Sequence, residues 1–392
     1  MKKTSVLSRI FRSIFLLLNI GAVLWLLLCK WAAYYDPSDK PTTLSLISFT
    51  CFFAALSNVF FVFFWLFSKK KLRSLASLIV LVLCWNITRP LFGFNYIGNN
   101  TIASNDESSL KVMTWNVHLF DLGEWTKDKT SKAKILKLIK EENPDILCLQ
   151  EFYWDAKEDS EPYTAILQQS GYPFVAFSVE NDLKKNYITS DASKDDLIYT
   201  GHAIFSKYPI RNEKRYPLFP KTYNMLSVEV VIDSSHIFSL NVVHLTSVGF
   251  GRQEMKYISE VKSKGVDAQD EDRSKSLLKK LRNASSNRAG LANKIDSLKR
   301  EMDYPQIICG DFNDVPGSYV YNKVKGKLSD AFTGKGAGLG RTYRHIFPTL
   351  RIDYILYDAD ALTIKGYKRP DVDLSDHYPV IANFSLKEKE IK

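Results

Sequence analysis

The residues best suited to chemistry stand in the stretch Ile307-Ile308-Cys309-Gly310-Asp311-Phe312-Asn313. The apolar run Ile307 to Cys309 reads as a buried strand that stops at a glycine. Asp311 and Asn313 follow, two apart, so an extended backbone points both to one side. A carboxylate and an amide oxygen at one strand end are hard ligands, suited to magnesium, calcium or manganese rather than zinc. Other short apolar runs end alike. Asn116 follows Val112-Met113-Thr114-Trp115 and shares a face with Thr114 and His118, and Gln150-Glu151 ends the run Ile146 to Leu149. His244 ends Leu240-Asn241-Val242-Val243, and Asp376-His377 precedes Tyr378-Pro379-Val380. Asp353 sits inside the apolar Ile352-Asp353-Tyr354-Ile355-Leu356. Any one of these, taken alone, most often caps a turn or satisfies a core hydrogen bond. So many in one order are hard to obtain by chance.

Elements that could position them follow from hydrophobic periodicity. Strands are expected at 111–117, 146–149, 173–178, 199–206, 224–232, 236–245, 305–311, 352–357, 363–367 and 378–386. Lys132 to Glu141 carries Ile135, Leu136, Leu138 and Ile139 at helical spacing and stops at Asn143-Pro144. Many strands with few helices between them argue for an α/β fold of two packed sheets flanked by helices. Residues 180–196 are polar and read as a loop. Residues 250–302 are highly charged, with Leu277, Leu278, Leu281, Leu291, Ile295 and Leu298 marking helix faces. That segment reads as a charged helical insertion, a solvated pair covering one sheet.

The first hundred residues are different. They hold 11 of the chain's 53 basic and 2 of its 43 acidic residues, leaving 42 and 41 for the rest. The formal charge of +10 therefore sits ahead of a nearly neutral domain and gives no argument for a nucleic-acid partner. Ser13 to Tyr34 and Leu44 to Phe67 are each long enough to cross a bilayer, which needs about 20 residues as a helix. Leu75 to Trp85 starts a third span. A cleaved signal peptide would need a short apolar region and a small-residue cleavage site. Cys29-Lys30-Trp31-Ala32-Ala33-Tyr34-Tyr35 followed at once by a second span favours an anchor instead. Lys2, Lys3, Arg9 and Arg12, and again Lys69-Lys70-Lys71 with Arg73, belong on the cytoplasmic side. Three spans would put the remainder outside the cytoplasm, and two would leave it inside. The expected organisation is an integral membrane anchor at 1–94 with two or three spans, a polar linker at 95–109 and a catalytic domain at 110–392, in a cell (inner) membrane with that domain on the non-cytoplasmic side. Cys29, Cys51, Cys84, Cys148 and Cys309 have no metal or redox spacing and read as buried small hydrophobes.

Taken together, Thr114-Trp115-Asn116, Leu149-Gln150-Glu151, Gly201-His202-Ala203-Ile204-Phe205-Ser206, Asn241-Val242-Val243-His244, Gly310-Asp311-Phe312-Asn313, Arg351-Ile352-Asp353-Tyr354 and Ser375-Asp376-His377 resemble the endonuclease/exonuclease/phosphatase superfamily. Deoxyribonucleases, abasic-site endonucleases, neutral sphingomyelinases and inositol-polyphosphate 5-phosphatases belong to it. The resemblance covers about residues 110–386 and extends to bacterial members with a few N-terminal spans. It implies a four-layer α/β sandwich, two mixed sheets face to face with helices outside. It also implies Mg2+, or Mn2+, held chiefly by Glu151 with Asn116 beside it and Asp376 near the metal. By the same resemblance Asp311 and Asn313 would hold the attacking water, the scissile phosphate or a second metal, and Asp353 would polarise His377. His244 matches the histidine that deoxyribonuclease-like and sphingomyelinase-like members set against the phosphate, where abasic-site endonucleases have tyrosine. His118 and Tyr343 are candidate substrate contacts by position.

The chemistry is coherent without the family. A phosphodiester repels an anionic nucleophile, so a cation must neutralise charge that builds on its oxygens. One glutamate plus amides suits magnesium, which keeps several waters. Two histidines could serve opposite faces of an in-line displacement. The expectation is thus a membrane-anchored, metal-dependent phosphoester hydrolase acting on nucleic acid or phospholipid head groups, with the bilayer as its other partner and no protein partner inferable. A non-catalytic adaptor retaining the fold is the alternative, and it would leave gaps in the constellation. None is present in the sequence.

Overall fold

A computed structural model describes residues 6–96, 109–122, 130–155, 170–184, 197–219, 223–265 and 270–388. Most of the linker expected at 95–109, and residues 185–196 of the expected loop, lie outside this set.

The N-terminal segment is a helical hairpin with a returning third segment. Helix α1 (Val6–Tyr34) has 29 residues, ~43 Å at 1.5 Å per residue. A 3-10 stretch (Thr43–Thr50) leads into α2 (Cys51–Leu66), and the two together are apolar enough to cross a membrane. The third segment is not one straight span. Helix α3 (Ser74–Leu83) is followed by α4 (Trp85–Thr88), and the axes bend by 70° at the break. By length and composition two helices can cross a membrane, or three if the bent pair counts as one. Polar groups facing a bilayer need internal partners, and these helices supply them. Asn19 donates to Ser77 Oγ at 2.6 Å and accepts from Trp65 Nε1 at 2.8 Å, while Asn58 donates to the Ala22 carbonyl at 2.8 Å. These bonds set the end of α2 and the start of α3 at the level of Asn19. Further along, Cys84 lies against the Leu26 carbonyl. The third segment therefore runs back beside α1 and delivers the chain to the end where α1 finishes, away from Lys69–Arg73.

After the short strand β1 (Gly93–Phe94), two six-stranded sheets carry the rest. In chain order the strands are β2 (Ser109–Asn116), β3 (Ile146–Asp155), β4 (Phe174–Lys184), β5 (Leu197–Ser206), β6 (Ile210–Phe219), β7 (Tyr223–Val231), β8 (Ile237–His244), β9 (Gln306–Asp311), β10 (Ser329–Asp330), β11 (Ala337–Gly338), β12 (Asp353–Tyr357), β13 (Leu362–Lys368) and β14 (Val380–Leu386). One sheet runs β13-β14-β2-β3-β5-β4 and the other β10-β12-β9-β8-β7-β6. Each is mixed, with β2/β3 parallel in the first and β8/β9 in the second. Their facing sides bury Val112, Ile146 and Cys148 against Leu240, Val242, Ile307 and Cys309. Helix α5 (Ser131–Glu142) covers the outside of the first sheet through Ile135, Leu136 and Ile139. The other outer face packs on Leu291, Ile295 and Leu298 of a 29-residue helix (Glu271–Lys299) and on Val320 and Val324 of Tyr319–Lys325. The result is the four-layer sandwich.

The sheet periodicity of two does the positioning. Val112 and Thr114 share a face with Asn116, Leu240 and Val242 with His244, Ile307 and Cys309 with Asp311, and Ile355 and Tyr357 with Asp353. Each inward apolar row thus ends in a polar residue, all at one end of the inter-sheet core.

Two expectations need correction. Residues Glu180 to Lys184 continue β4 rather than opening a loop, because they pair with β5 through Lys184↔Leu197. Strand β6 went unrecognised because Arg211, Glu213, Lys214 and Arg215 are exposed on a sheet edge, where charge guards against stray pairing. The 250–302 insertion does form a helix pair (Arg252–Lys264 and Glu271–Lys299), but only the first half of the second helix is solvated, and its second half lies in the core.

The N-terminal helical segment and the sandwich touch directly. Ser286 Oγ donates to the Pro37 carbonyl at 2.8 Å, Asn293 to Asp36 at 2.7 Å, and Arg351 to the Pro90 carbonyl at 2.9 Å. Strand β1 pairs with β11.

Candidate active site

Local backbone distortions aim the acids inward. Strand β3 pairs regularly with β5 to Leu149↔Ala203 and resumes at Phe152↔Gly201, so Gln150 and Glu151 together oppose His202. That bulge puts Glu151 at φ 49° and turns its carboxylate toward the inter-sheet end. On the other side of β5, β4 has a matching bulge at Glu180, between Val179↔Gly201 and Asn181↔Thr200. Both distortions meet at Gly201, where a Cβ would lie 1.8 Å from the Ser178 carbonyl oxygen. Asn313 at φ 51° and the run His118 to Asp121, all at positive φ, add further strain at this end of the molecule.

The residues named from sequence converge. Both carboxylate oxygens of Asp353 lie on His377 Nδ1, at 2.9 and 3.1 Å, and His377 Nε2 faces Asp311 at 3.6 Å. The ligand atoms of Asp311, Asp353 and His377 lie within 4.8 Å of one another. Asn116 Nδ2 donates to Glu151 at 2.9 Å and to Asp311 at 3.2 Å. Asn313 donates to Asp311 and to the Leu245 carbonyl. His244 Nε2 lies 3.7 Å from both Glu151 and Asp311. Ser375 Oγ donates to the Asn116 carbonyl at 2.8 Å, and Trp115 Nε1 to the His377 carbonyl at 3.0 Å, which ties the last loop to β2. Tyr343 bridges to His377, with ring centres 5.1 Å apart. Asp376 pairs with His118 Nδ1 at 3.5 Å.

Sequence reasoning missed Glu180 and assigned His202 no role. Glu180 is buried between two imidazoles, 3.1 Å from His202 Nε2 and 3.8 Å from His244 Nδ1. His202 Nε2 also lies 3.1 Å from the Asn224 carbonyl, while its Nδ1 is buried with no hydrogen-bond partner among the described residues. That arrangement assigns the proton to Nε2, donated to Glu180 and Asn224. The site therefore has two carboxylate–imidazole couples, Asp353–His377 and Glu180–His244, flanking Asp311. A strand reading extended two residues past Ser178 would have reached Glu180.

Burial and neighbours set the charges. Burial resists protonation of His377, yet Asp353, Asp311 and Asp376 hold its pKa well above the ordinary value. Burial likewise works against His244, and Glu180, Asp311 and Glu151 overcome it, raising the pKa to about 9. Glu180 would be pushed up by burial, but His202 and His244 bring it down to about 2. Asp311 moves the other way, to about 6, because burial and Asp353 outweigh His377 and His244.

The donor set fits a hard divalent cation. Among the described residues no Lys or Arg pairs with Glu151, Asp311, Asp353 or Asp376, whose charged partners are imidazoles. Clustered carboxylates with two amides favour an oxygen-seeking divalent ion. The tightest group differs from the metal set expected by resemblance, Asn116, Glu151 and Asp376. Both Asp353 oxygens are engaged by His377 and Asn116 Oδ1 accepts from the His118 N–H at 3.1 Å, which leaves the Glu151 carboxylate the less committed oxygen donor.

The sequence profile of the Endonuclease/Exonuclease/phosphatase family matches residues 113–377, more than half of the chain. The chain belongs to this family. Residues 12–91 match a second profile, described only as a domain of unknown function. No curated protein matches the chain. Among solved structures, the human Nocturnin catalytic domain with bound sulfate is similar at TM-score 0.50 and 21% identity, covering 72% of this chain and 97% of that one. An endonuclease/exonuclease/phosphatase family protein from Bacteroides thetaiotaomicron is similar at TM-score 0.50 and 15% identity, with coverage of 72% and 97%. These likenesses concern the fold. Family members generally depend on a divalent metal, and the carboxylate and histidine cluster of this member is of the kind such an ion needs.

Proposed function

We propose that this family member is a membrane-anchored, Mg2+-dependent phosphoester hydrolase, active on nucleic acid or phospholipid head groups. The observation that carries the reading is the convergence of two carboxylate–imidazole couples on Asp311, in a cluster of acids that pair with no Lys or Arg among the described residues. Mg2+ held by Glu151 and Asn116 would supply positive charge against the phosphate oxygens as they gain charge in the transition state. Asp311, which faces both imidazoles, is placed to take a proton from an attacking water, and Asn313 fixes its orientation. His377, with Nδ1 committed to Asp353, presents Nε2 toward the same space and can donate to the phosphate. His244, with Nδ1 toward Glu180, presents Nε2 from the other side and can protonate a leaving oxygen. His118, Tyr343 and Asp376 line the rim, where they would meet the rest of the substrate.

The anchor reading rests on α1 and on Thr43–Leu66. Lys69–Arg73 lie at the opposite end of the bundle from the sandwich, which by the positive-inside rule supports a catalytic domain on the non-cytoplasmic side.

The test is hydrolysis of bis(4-nitrophenyl) phosphate by the purified full chain in detergent. Activity should need Mg2+, vanish in EDTA and fall by at least ~100-fold in Glu151→Ala and in His377→Ala. Full activity in either variant would refute the assignment.

A further inference from the structure

The end of the bundle that meets the sandwich carries exposed aromatics. Trp31, Tyr34 and Trp85 on the helices, with Phe94 and Tyr96 just beyond, are all exposed. Aromatic side chains of this kind settle at a membrane–water boundary. The same end of the bundle reaches the chain segments that form the site. Gly317 packs so closely that a Cβ there would lie 3.1 Å from the Ile87 carbonyl oxygen and 3.7 Å from Cys51 Sγ. Arg351, fully buried and paired with Asp330 at 2.9 Å, donates to the Pro90 carbonyl. Asn313 is four residues from Gly317, and Asp353 two from Arg351. Even fully extended, those segments reach at most ~14 Å and ~7 Å. A head-group layer is itself about 5–7 Å deep on each side of the hydrocarbon. Two segments that carry site residues are thus fastened to the end of the bundle that bears the exposed aromatics, on a docked rather than a loosely tethered domain.

We propose that the substrate is a phosphoester carried by the bilayer itself, a lipid head-group phosphodiester taken while its acyl chains stay in the membrane. This rests on the hydrolase reading above. In the step, the oxygen of water bonds to phosphorus as one ester P–O bond breaks. The proton lost by water and the one gained by the leaving alkoxide balance, giving a phosphomonoester and an alcohol. A rigidly held site at the boundary sees its substrate at high effective concentration without binding it tightly.

The experiment uses the full chain in nanodiscs containing phosphatidylethanolamine, phosphatidylglycerol or sphingomyelin, with Mg2+, alongside bis(4-nitrophenyl) phosphate and supercoiled DNA. The expected result is release of a lipid head group or phosphorylated head group without DNA nicking. Phe94→Ser/Tyr96→Ser should cut lipid turnover by roughly tenfold or more and leave the aryl diester rate unchanged. Cleavage of the aryl diester with every lipid untouched, or preferential nicking of DNA, overturns the lipid substrate while sparing the hydrolase. Lipid turnover indifferent to Phe94→Ser/Tyr96→Ser overturns the boundary argument. No cleavage of any of them refutes the hydrolase reading and this inference with it.

Discussion

Glu180→Gln is the most informative single change, because it keeps the shape of the side chain and removes only its charge. Glu180 has an ordinary pKa of 4.5 and sits at about 2 in the fold, buried but held down by His202 and His244. A depressed carboxylate contributes stability that is full above its unfolded pKa and is lost as pH falls through the folded one. The gap of roughly 2.5 units corresponds to about 3 kcal/mol. For a domain of this size that is on the order of 6–12 °C in Tm. The assay is a melt of the full chain in detergent, followed by tryptophan fluorescence, for wild type and Glu180→Gln from pH 7 down to pH 3. The difference should be largest at pH 7, begin to close below about 4.5 and be much reduced at pH 3. The same variant should lose roughly 10–100-fold in kcat with little change in KM, because His244 would lose its orienting partner. Equal melting at pH 7, or a gap of the same size at pH 3, would refute the assignment of Glu180 as a charged partner of two imidazoles.

Three further outcomes are expected. Asp353→Asn leaves His377 without its anionic partner and should lower kcat at least ~100-fold with KM nearly unchanged, measured by steady-state kinetics. Gly201→Ala forces a methyl onto the Ser178 carbonyl between the two bulges and should cost roughly 1–3 kcal/mol or more, visible as a lowered Tm. A periplasmic-type phosphatase reporter fused after Ser109 should be active, since the bent third segment returns the chain to the end where α1 finishes.

The sandwich was legible because its strands are buried on regular inward faces. Val112, Ile146, Leu240 and Ile307 each begin an apolar row, and the polar residue that breaks each row is a site residue. Sheet periodicity thus gave core and site at once. What stayed hidden had other causes. Glu180 keeps the inward parity of Ala176 and Ser178, but it is the extra residue of a bulge and its charge made the segment look like loop. Edge strand β6 shows no apolar face because an edge is protected by charge rather than covered. The bend at Cys84 has no proline or glycine to announce it; Cys84 lies against the Leu26 carbonyl there, and Ile87 just beyond packs on Gly317 of the sandwich. The docking of Arg351 on Pro90 joins residues 261 positions apart, beyond any local pattern. Asp376 and His118 were each assigned to the site, but their pairing with one another could come only from the fold.

The most direct test of the hydrolase proposal is turnover in water enriched in oxygen-18, with Mg2+ present. Mass spectrometry of the products should find one heavy oxygen in the phosphoryl product and none in the released alcohol, and turnover should cease in EDTA. Label in the alcohol, or unlabelled products formed equally well in EDTA, would contradict attack of water on phosphorus at the site built from Glu151, Asp311 and His377.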